Sequence, residues 1–103
     1  MTSKMKSLLG MAKRAGKVYS GESQVEALLK KRKGDLLIIA KDSSNALTKF
    51  ERWCQDLKIP VIIDGTKEEI GISIGMSPRS AVLIIDRGFA EAMLKESRTT
   101  NPS

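Results

Sequence analysis

The sequence predicts an α/β fold: a single-domain three-layer α/β/α sandwich with a mixed sheet of about four strands. Short apolar runs rich in β-branched residues alternate with segments of helical periodicity. The 103 residues fit one compact domain that can bury a core without metals or disulfides. No linker, repeat or low-complexity segment interrupts the chain before its last seven residues. We therefore expect one domain over residues 1–96 and a flexible tail over residues 97–103.

The boundaries of the elements follow from apolar spacing and from caps. Helices are assigned where apolar residues recur at i, i+3, i+4 and i+7, and strands where apolar residues run together. Glycines and hydroxyl or acidic caps end and begin the helices. The predicted elements are a helix from Ser3 to Gly16, an extended piece Val18–Ser20, a helix from Gly21 to Gly34, a strand Leu36–Ala40, a helix from Asp42 or Ser44 to Leu57, a strand Ile59–Ile63, a short helix from Thr66 to Gly75, a strand Ser80–Ile85 and a last helix from Asp86.

Several single residues support this assignment. Thr66 and Glu69 have the spacing of a capping box, and Asp86 fits the N-cap of the last helix. Pro60 stands at the start of its strand, where a backbone donor is not needed. Cys54 falls on the apolar face of the third predicted helix, so we interpret it as a core residue.

The composition excludes several classes of function. With no histidine and one cysteine, the chain cannot form an internal disulfide, the usual zinc sites or a histidine-based catalytic triad, and no cofactor is expected. Its apolar runs are far shorter than the ~20 residues that cross a bilayer, and residues 1–9 lack the apolar region of a signal peptide. We expect a cytoplasmic protein without a membrane partner.

The positive charge is concentrated in one third of the chain. The whole protein carries a net charge of +6, but residues 1–34 hold nine Lys or Arg and two Glu, whereas the remaining residues sum to −1. Localised positive charge on an otherwise neutral domain is typical of proteins that bind polyanions, because each neutralised phosphate releases condensed counterions. Nucleic acid is the partner that this pattern favours. The alternative is a solubilising surface, which fits a scattered excess better.

The first candidate site is the turn that leads into the second helix. Free backbone N–H groups at a helix start attract phosphates or base acceptors, and Gly21 allows a polyanion to come close. Ser23 and Gln24 can hydrogen-bond base edges, while Lys17 and Lys31 could hold the phosphate backbone. The alternative interpretation is that Gly21 and Ser23 merely cap a helix.

The second candidate site comprises the two loops that flank the short helix. The segments Asp64–Lys67 and Gly75–Ser80 contain glycine and proline residues, which can fix the positions of Lys67 and Arg79. The alternative is that both are ordinary turns.

A third candidate site belongs to a different class of protein. Asp42, Asp64 and Asp86 each follow a predicted strand, and ligands of α/β sheets bind beyond the carboxyl ends of strands. Clustered carboxylates there could hold magnesium for phosphoryl transfer. Capping and turn formation explain the same three residues without chemistry, so a magnesium-dependent enzyme remains a remote alternative.

Six segments occur in the order that one known family shows. They are Leu9–Lys17 (LGMAKRAGK), Gly21, Leu37–Asp42 (LIIAKD), Ile59–Val61 (IPV), Gly65–Gly75 (GTKEEIGISIG) and Ala81–Asp86 (AVLIID). Over about residues 8–94 they resemble the ribosomal L7Ae/L30e superfamily, and most closely its small bacterial, ribosome-associated members.

The resemblance implies an α/β/α domain that binds kink-turn RNA, a sharply bent internal loop closed by sheared G·A pairs. In such a domain the turn into the second helix reads the guanines, and flanking loops contact the RNA, with Met76 or Pro78 packed against a splayed-out nucleotide. Together with the first candidate site, the expected RNA-binding residues are Lys17, Gly21, Glu22, Ser23, Gln24, Lys31, Lys67, Met76 and Arg79.

The chain departs from the family pattern in the base-reading turn. The family places Asn-Glu there and a lysine three residues after the Glu, but these positions hold Ser23, Gln24 and Ala27. A glutamate can accept from both guanine N1 and N2, whereas one glutamine carbonyl accepts less strongly and its amide adds a donor. This difference argues against high-affinity recognition of standard kink-turns.

We therefore expect a monomeric, non-enzymatic protein that binds structured RNA, and ribosomal RNA is the partner that we expect first. The alternative is a protein-interaction module that docks a translation or ribosome-maturation factor, because a fold alone does not determine function. If RNA is the partner, Lys17, Lys31, Lys67 and Arg79 should converge on one face of the domain.

Overall fold

The computed structural model describes residues 1–100, and helices alternate with strands along the chain much as the sequence predicts. The elements are α1 (Ser3–Arg14), β1 (Val18–Ser20), α2 (Glu22–Lys30), β2 (Leu36–Ile39), α3 (Ser44–Leu57), β3 (Val61–Ile63), α4 (Lys67–Ser73), β4 (Ala81–Ile84) and α5 (Arg87–Thr100).

The four strands form one mixed sheet in the order β1-β4-β2-β3. β4 lies antiparallel to both β1 and β2, and β2 lies parallel to β3. The carboxyl ends of β1, β2 and β3 therefore meet the start of β4 at one end of the sheet, which we call the loop end. The opposite end, where β4 finishes, is called the turn end. The predicted α/β class and mixed four-stranded sheet are confirmed.

Both faces of the sheet are covered by helices. Leu36 and Ile38 of β2 pack with α1, α4 and α5, whereas Leu37 and Ile39 pack with α2 and α3, and all four side chains are fully buried. This alternation follows from the two-residue period of a strand. Cys54 lies in the second of these cores, where burial raises the pKa of its thiol to about 11. The three predicted layers are therefore present.

Two predicted caps have the expected geometry. The Thr66 hydroxyl accepts from the Glu69 N–H at 3.1 Å, and the Glu69 carboxylate accepts from the Thr66 N–H at 3.2 Å, which completes the capping box of α4. Asp86 Oδ1 accepts from the Phe89 N–H at 2.9 Å at the start of α5. Both caps join residues three apart, so local sequence is sufficient to predict them.

The prediction that Gly34 terminates the second helix is wrong. α2 ends at Lys30, and Arg32 adopts the left-handed conformation with a φ of 58°. The Lys33 N–H donates to the Leu28 carbonyl at 3.0 Å, which closes a Schellman turn with an arginine at the position that glycine usually occupies. The helix thus ends earlier than the nearest glycine, through hydrogen bonds among neighbouring residues.

The expected cap of α3 also differs. Its N-cap is Ser43, whose side chain makes no capping hydrogen bond, so neither Asp42 nor Ser44 has that role. Asp42 instead accepts from the Lys67 N–H at 2.9 Å through Oδ1 and so stabilises the start of α4. This contact arises because β2 and β3 are parallel, which brings the segments that follow them to the same end of the sheet.

The last helix is longer than the sequence suggested. α5 continues to Thr100, and the Thr99 hydroxyl donates to the Lys95 carbonyl at 2.9 Å. Residues 97–100, which we expected in a flexible tail, are therefore helical, since no glycine or proline interrupts them; residues 101–103 lie outside the described residues. No helix in residues 1–100 has the length and apolarity that a membrane span requires.

Candidate nucleic-acid interface

The N-terminal turn of α2 presents backbone donors on an open surface. Gly21 is the N-cap, with φ 94° and ψ 146°, and no side chain caps the helix. Its N–H donates to the Ala81 carbonyl at 3.3 Å, which ties the turn to the start of β4. A Cβ on Gly21 would meet no atom within 4 Å. The first-turn N–H groups that follow Gly21 therefore lack intrahelical acceptors and can receive an anion or a base acceptor.

The side chains of this turn have different surroundings. Ser23 and Gln24 are exposed. Glu22 lies 3.7 Å from the Lys49 ammonium of α3, and Glu26 lies 2.8 Å from the same group. The bond to Lys49 lowers the pKa of Glu26, and the same bond raises the pKa of Lys49. Lys49 thus offsets the negative charge of Glu22 and Glu26, which reduces the repulsion of a polyanion at this turn.

Arg79 joins the loop before β4 to the end of β1. Its Nε donates to the Ser20 hydroxyl at 3.2 Å, and its Nη1 donates to the Ser77 hydroxyl at 2.7 Å. The Ser20 hydroxyl in turn lies 3.5 Å from the Met76 sulfur. The guanidinium is therefore held in one orientation next to the N-terminal turn of α2, as a planar donor for phosphate or a base edge.

Lys67 lies beside this arginine. The Arg79 N–H donates to the Lys67 carbonyl at 3.0 Å, and Asp42 binds the Lys67 N–H as described above. The Lys67 side chain is exposed at the start of α4. The two loops that formed the second candidate site therefore meet each other and the first candidate site at the loop end.

A close helix–loop contact fixes the position of Met76. The Met76 N–H donates to the Gly71 carbonyl at 2.8 Å, and a Cβ on Gly71 would lie 2.3 Å from the Ser77 carbonyl oxygen. Only glycine allows the loop to pass this close to α4. As a result Met76, which is 37% exposed, and the exposed Pro78 border the same surface as Arg79.

Lys17 and Lys31 do not join this group. The Lys17 carbonyl accepts from the Ile85 N–H at 2.9 Å, which places Lys17 at the turn end. Lys31 follows the nine residues of α2, a helix length of about 14 Å at 1.5 Å per residue. The structure thus brings Lys67 and Arg79 together near Gly21 but separates them from Lys17 and Lys31, so the expected convergence of four cations holds for only two.

The three aspartates do not form a site. Asp42 lies at the loop end, whereas Asp86 follows β4, which is antiparallel, and so lies at the turn end. Asp42 and Asp86 are both occupied as caps. Within residues 1–100, no group of three His, Cys, Asp or Glu side chains could hold a metal ion. The magnesium cluster considered from the sequence is therefore wrong, because it assumed that all three strands run in the same direction.

Sequence reasoning missed the residues that support the loop end. Ser20 and Ser77 hold Arg79, Lys49 neutralises the acidic residues of α2, and Gly71 admits the loop. Their partners are 59 residues away in the case of Ser20, and no periodic pattern links them. Only Gly71 carried a local signal, as a glycine within a predicted helix.

The fold and the loop end define a class of protein. It is a small α/β/α domain in which the second helix begins at a glycine, Gly21, close to an arginine, Arg79, that is held by hydrogen bonds to two serines. The chain matches the Ribosomal protein L7Ae/L30e/S12e/Gadd45 family over residues 3–94, and it belongs to that family. The resemblance noted in the sequence is therefore confirmed.

Several relatives share most of their length with this chain. The RNA-binding protein YlxQ of Bacillus subtilis is 35% identical over 88 residues, which cover 84% of this chain and 88% of the relative. The large ribosomal subunit protein eL8 of Thermoplasma volcanium is 27% identical over 90 residues, covering 85% and 74%.

Solved structures show the same architecture. A protein of unknown function from Bacillus halodurans superposes with a TM-score of 0.88 at 29% identity, covering 93% of this chain and 98% of that one. The Giardia lamblia 15.5kD RNA binding protein superposes with a TM-score of 0.77 at 16% identity, covering 96% and 92%, a likeness of fold alone.

Proposed function

We propose that this chain is a non-catalytic RNA-binding protein that holds a folded RNA element at its loop end. The observation that supports the proposal best is the start of α2, which no side chain caps and which directly follows Ser20, the residue that accepts from the Arg79 guanidinium. Two proteins similar to this chain, YlxQ of Bacillus subtilis and the Giardia lamblia 15.5kD protein, are named as RNA-binding proteins.

Folded RNA offers the chemistry that this surface requires. Regular RNA helices hide their base edges, whereas internal loops and bends expose them together with closely spaced phosphates. In the proposed complex, Ser23, Gln24 and the first-turn amides contact base edges. Lys67 and Arg79 bind phosphates, and Met76 packs against an unstacked base. The contacts to base edges specify which RNA is bound, and the contacts to phosphates position it.

We propose a kink-turn-like element, with ribosomal RNA as its source. Sheared G·A pairs present N1 and N2 donors of guanine, and the Gln24 carbonyl can accept hydrogen bonds from them. An uncharged carbonyl makes weaker bonds than a carboxylate, so we expect a moderate affinity that depends on the phosphate contacts. One relative is a large ribosomal subunit protein, and this supports ribosomal RNA as the source of the target.

The test compares two RNAs of equal length. One carries a kink-turn internal loop, and the other has its G·A pairs replaced by Watson–Crick pairs. We expect the intact chain to prefer the kink-turn RNA, and Gln24→Glu to raise that affinity about tenfold through charge-assisted acceptance while lowering affinity for the plain duplex. Gln55→Glu, at an exposed position of α3, is the matched control and should lower both affinities slightly.

The dependence of affinity on salt separates RNA binding from protein docking. Binding through several phosphates should weaken steeply with salt, with a slope set by the number of phosphates neutralised. Equal affinity for both RNAs, together with no gain from Gln24→Glu, would contradict the proposed base reading. Failure to bind either RNA would favour a protein partner.

A further inference from the structure

The turn that follows α2 presents three successive cations on a fixed backbone. We call Lys31, Arg32 and Lys33 the basic turn. The N–H groups of Lys31 and Lys33 both donate to the Leu28 carbonyl at 3.0 Å, so the turn is hydrogen-bonded to its helix. On the other side, the Asp35 N–H donates to a β4 carbonyl at 2.8 Å. The three side chains therefore project from a preorganised support.

The conformation of Arg32 is unusual for an arginine. Its φ of 58° lies in the left-handed region, where a Cβ causes steric strain and where helices commonly place glycine. Gly34 occurs only two residues later. Retaining an arginine at the strained position is understandable if its side chain has a function, because strained backbone tends to occur at functional sites.

The charges of the basic turn are not neutralised by the rest of the domain. All three side chains are exposed, and within residues 1–100 none of them has a carboxylate at ion-pair distance. By contrast, the neighbouring Lys30 pairs with Glu26 at 3.7 Å, and Lys49 pairs with the same residue at 2.8 Å. Three unpaired cations side by side attract a polyanion.

The basic turn and the loop end lie at the two ends of the same helix. The nine residues of α2 separate them by about 14 Å. B-form DNA rises ~3.4 Å per nucleotide along its axis, so this length corresponds to a few nucleotide steps measured along the axis of a duplex. Lys17 lies at the same end of the sheet as the basic turn. One RNA molecule can therefore reach both surfaces.

We propose that the basic turn is a second phosphate-binding surface, which grips the backbone of the duplex that flanks the RNA element held at the loop end. The inference rests on the proposed function, since it needs an RNA anchored near Gly21. In this arrangement the bound RNA runs along α2 toward Lys31. The affinity of the protein for the RNA then depends on the length of one flanking duplex.

The experiment measures the affinity of each protein variant for a long and for a short RNA. The kink-turn RNA is prepared with a long flanking duplex and with that duplex cut to two base pairs. Replacing Lys31, Arg32 and Lys33 together by alanine should lower affinity for the long RNA at least tenfold and reduce its salt slope by two to three, because each lost phosphate contact contributes roughly 0.7–0.9. Affinity for the short RNA should change less than twofold.

The control removes the same charge elsewhere. Lys4, Lys95 and Arg98 are exposed on α1 and α5, away from α2, and their joint replacement by alanine should leave the flank dependence unchanged. If the basic-turn variant lowers the affinity for both RNAs equally, or behaves like this control, the basic turn does not bind the flanking duplex. RNA binding at the loop end is not contradicted by that result. If the unaltered chain binds neither RNA, the proposed function itself fails.

A single substitution separates charge from stability. Arg32→Gly should raise the melting temperature, since glycine relieves the positive φ, and should weaken binding of the long RNA. Lys58→Gly controls for relief of backbone strain, because Lys58 has a φ of 59° but does not belong to the basic turn. Lys58 lines a cleft with Gly34 and Asp35, at the same end of the sheet. Its replacement should raise the melting temperature but weaken binding of the long RNA less than Arg32→Gly does. Equal losses of affinity for both variants would contradict a contact made by Arg32 itself.

Discussion

The two ends of the sheet differ in how they are built. At the loop end, Arg79 is held by Ser20 and Ser77, and the start of α2 that follows Ser20 has no side-chain cap. At the turn end, the basic turn consists of neighbouring residues that carry only charge. A guanidinium held by two hydroxyl groups suits one base or phosphate geometry, whereas three neighbouring cations on exposed side chains suit any phosphate backbone. Under the proposed function, the difference assigns selectivity to one end of a domain of 103 residues and general affinity to the other.

The largest expected effect tests the conformation of the loop end. Gly21→Ala should lower the free energy of unfolding by about 1–3 kcal/mol, because a side chain at φ 94° and ψ 146° is strained. It should also reduce RNA affinity at least tenfold by altering the exposed amides. Isothermal titration and thermal melts measure both quantities.

Gly16→Ala is the control, since Gly16 also has a positive φ, 73°, with no atom within 4 Å of its added Cβ. It should destabilise the fold by roughly 1–2 kcal/mol and leave RNA affinity nearly unchanged. Equal losses of affinity in the two variants would mean that Gly21 acts only through stability.

The next effect compares arginines at the two ends. Arg79→Lys keeps the charge but loses the planar fork that binds Ser20 and Ser77, so affinity for the kink-turn RNA should fall about fivefold to tenfold. Arg32→Lys keeps the charge of the basic turn and should change affinity less than twofold. Titrations at one salt concentration measure the contrast, and similar losses at both positions would contradict the distinction between directed and diffuse contacts.

A smaller effect is expected at the start of α4. Asp42→Ala removes the acceptor of the Lys67 N–H and should lower the free energy of unfolding by about 1 kcal/mol. Asp56→Ala removes an exposed acid from the last turn of α3, where negative charge is unfavourable, and should stabilise by a few tenths of a kcal/mol. Denaturant unfolding shows the sign of each change; a loss of stability at both positions would contradict the assigned role of Asp42.

The smallest effect concerns pH. The Thr66 N–H, then the N-terminal ammonium of Met1 and the Lys6 ammonium, hold the pKa of Glu69 below its ordinary value of 4.5. A carboxyl whose pKa is lowered by folding contributes stability above the unfolded value, and this contribution is lost as pH falls through the folded value. Glu69→Gln should therefore reduce the loss of melting temperature on acidification below 4.5. The two chains should differ least at the lowest pH, and a constant difference at all pH values would exclude this linkage.

Features that depend on near neighbours could be predicted from the sequence. The capping box of Thr66 and Glu69 joins residues three apart, and the alternating burial of β2 reflects a run of apolar residues. The start of α2 at Gly21 was also expected, because glycine precedes a segment of helical periodicity. These features need only local hydrogen bonds and side-chain hydrophobicity.

Features that depend on strand direction could not be predicted. Asp42 caps α4 because β2 and β3 are parallel, and Asp86 is separated from it because β4 is antiparallel. The contact between Ser20 and Arg79 depends on the pairing of β1 with β4. Apolar spacing carries no information on which way a strand runs.

By itself, the sequence determined the class of fold, the buried stripes, the local caps and the excess of positive charge in residues 1–34. Only the tertiary structure decided how that charge is divided, because the nine residues of α2 carry the chain from one end of the sheet to the other. It also brought Arg79 to the start of this helix. Chain order specifies which residues can be neighbours in a helix or turn, but the arrangement of the strands decides which distant residues share a surface.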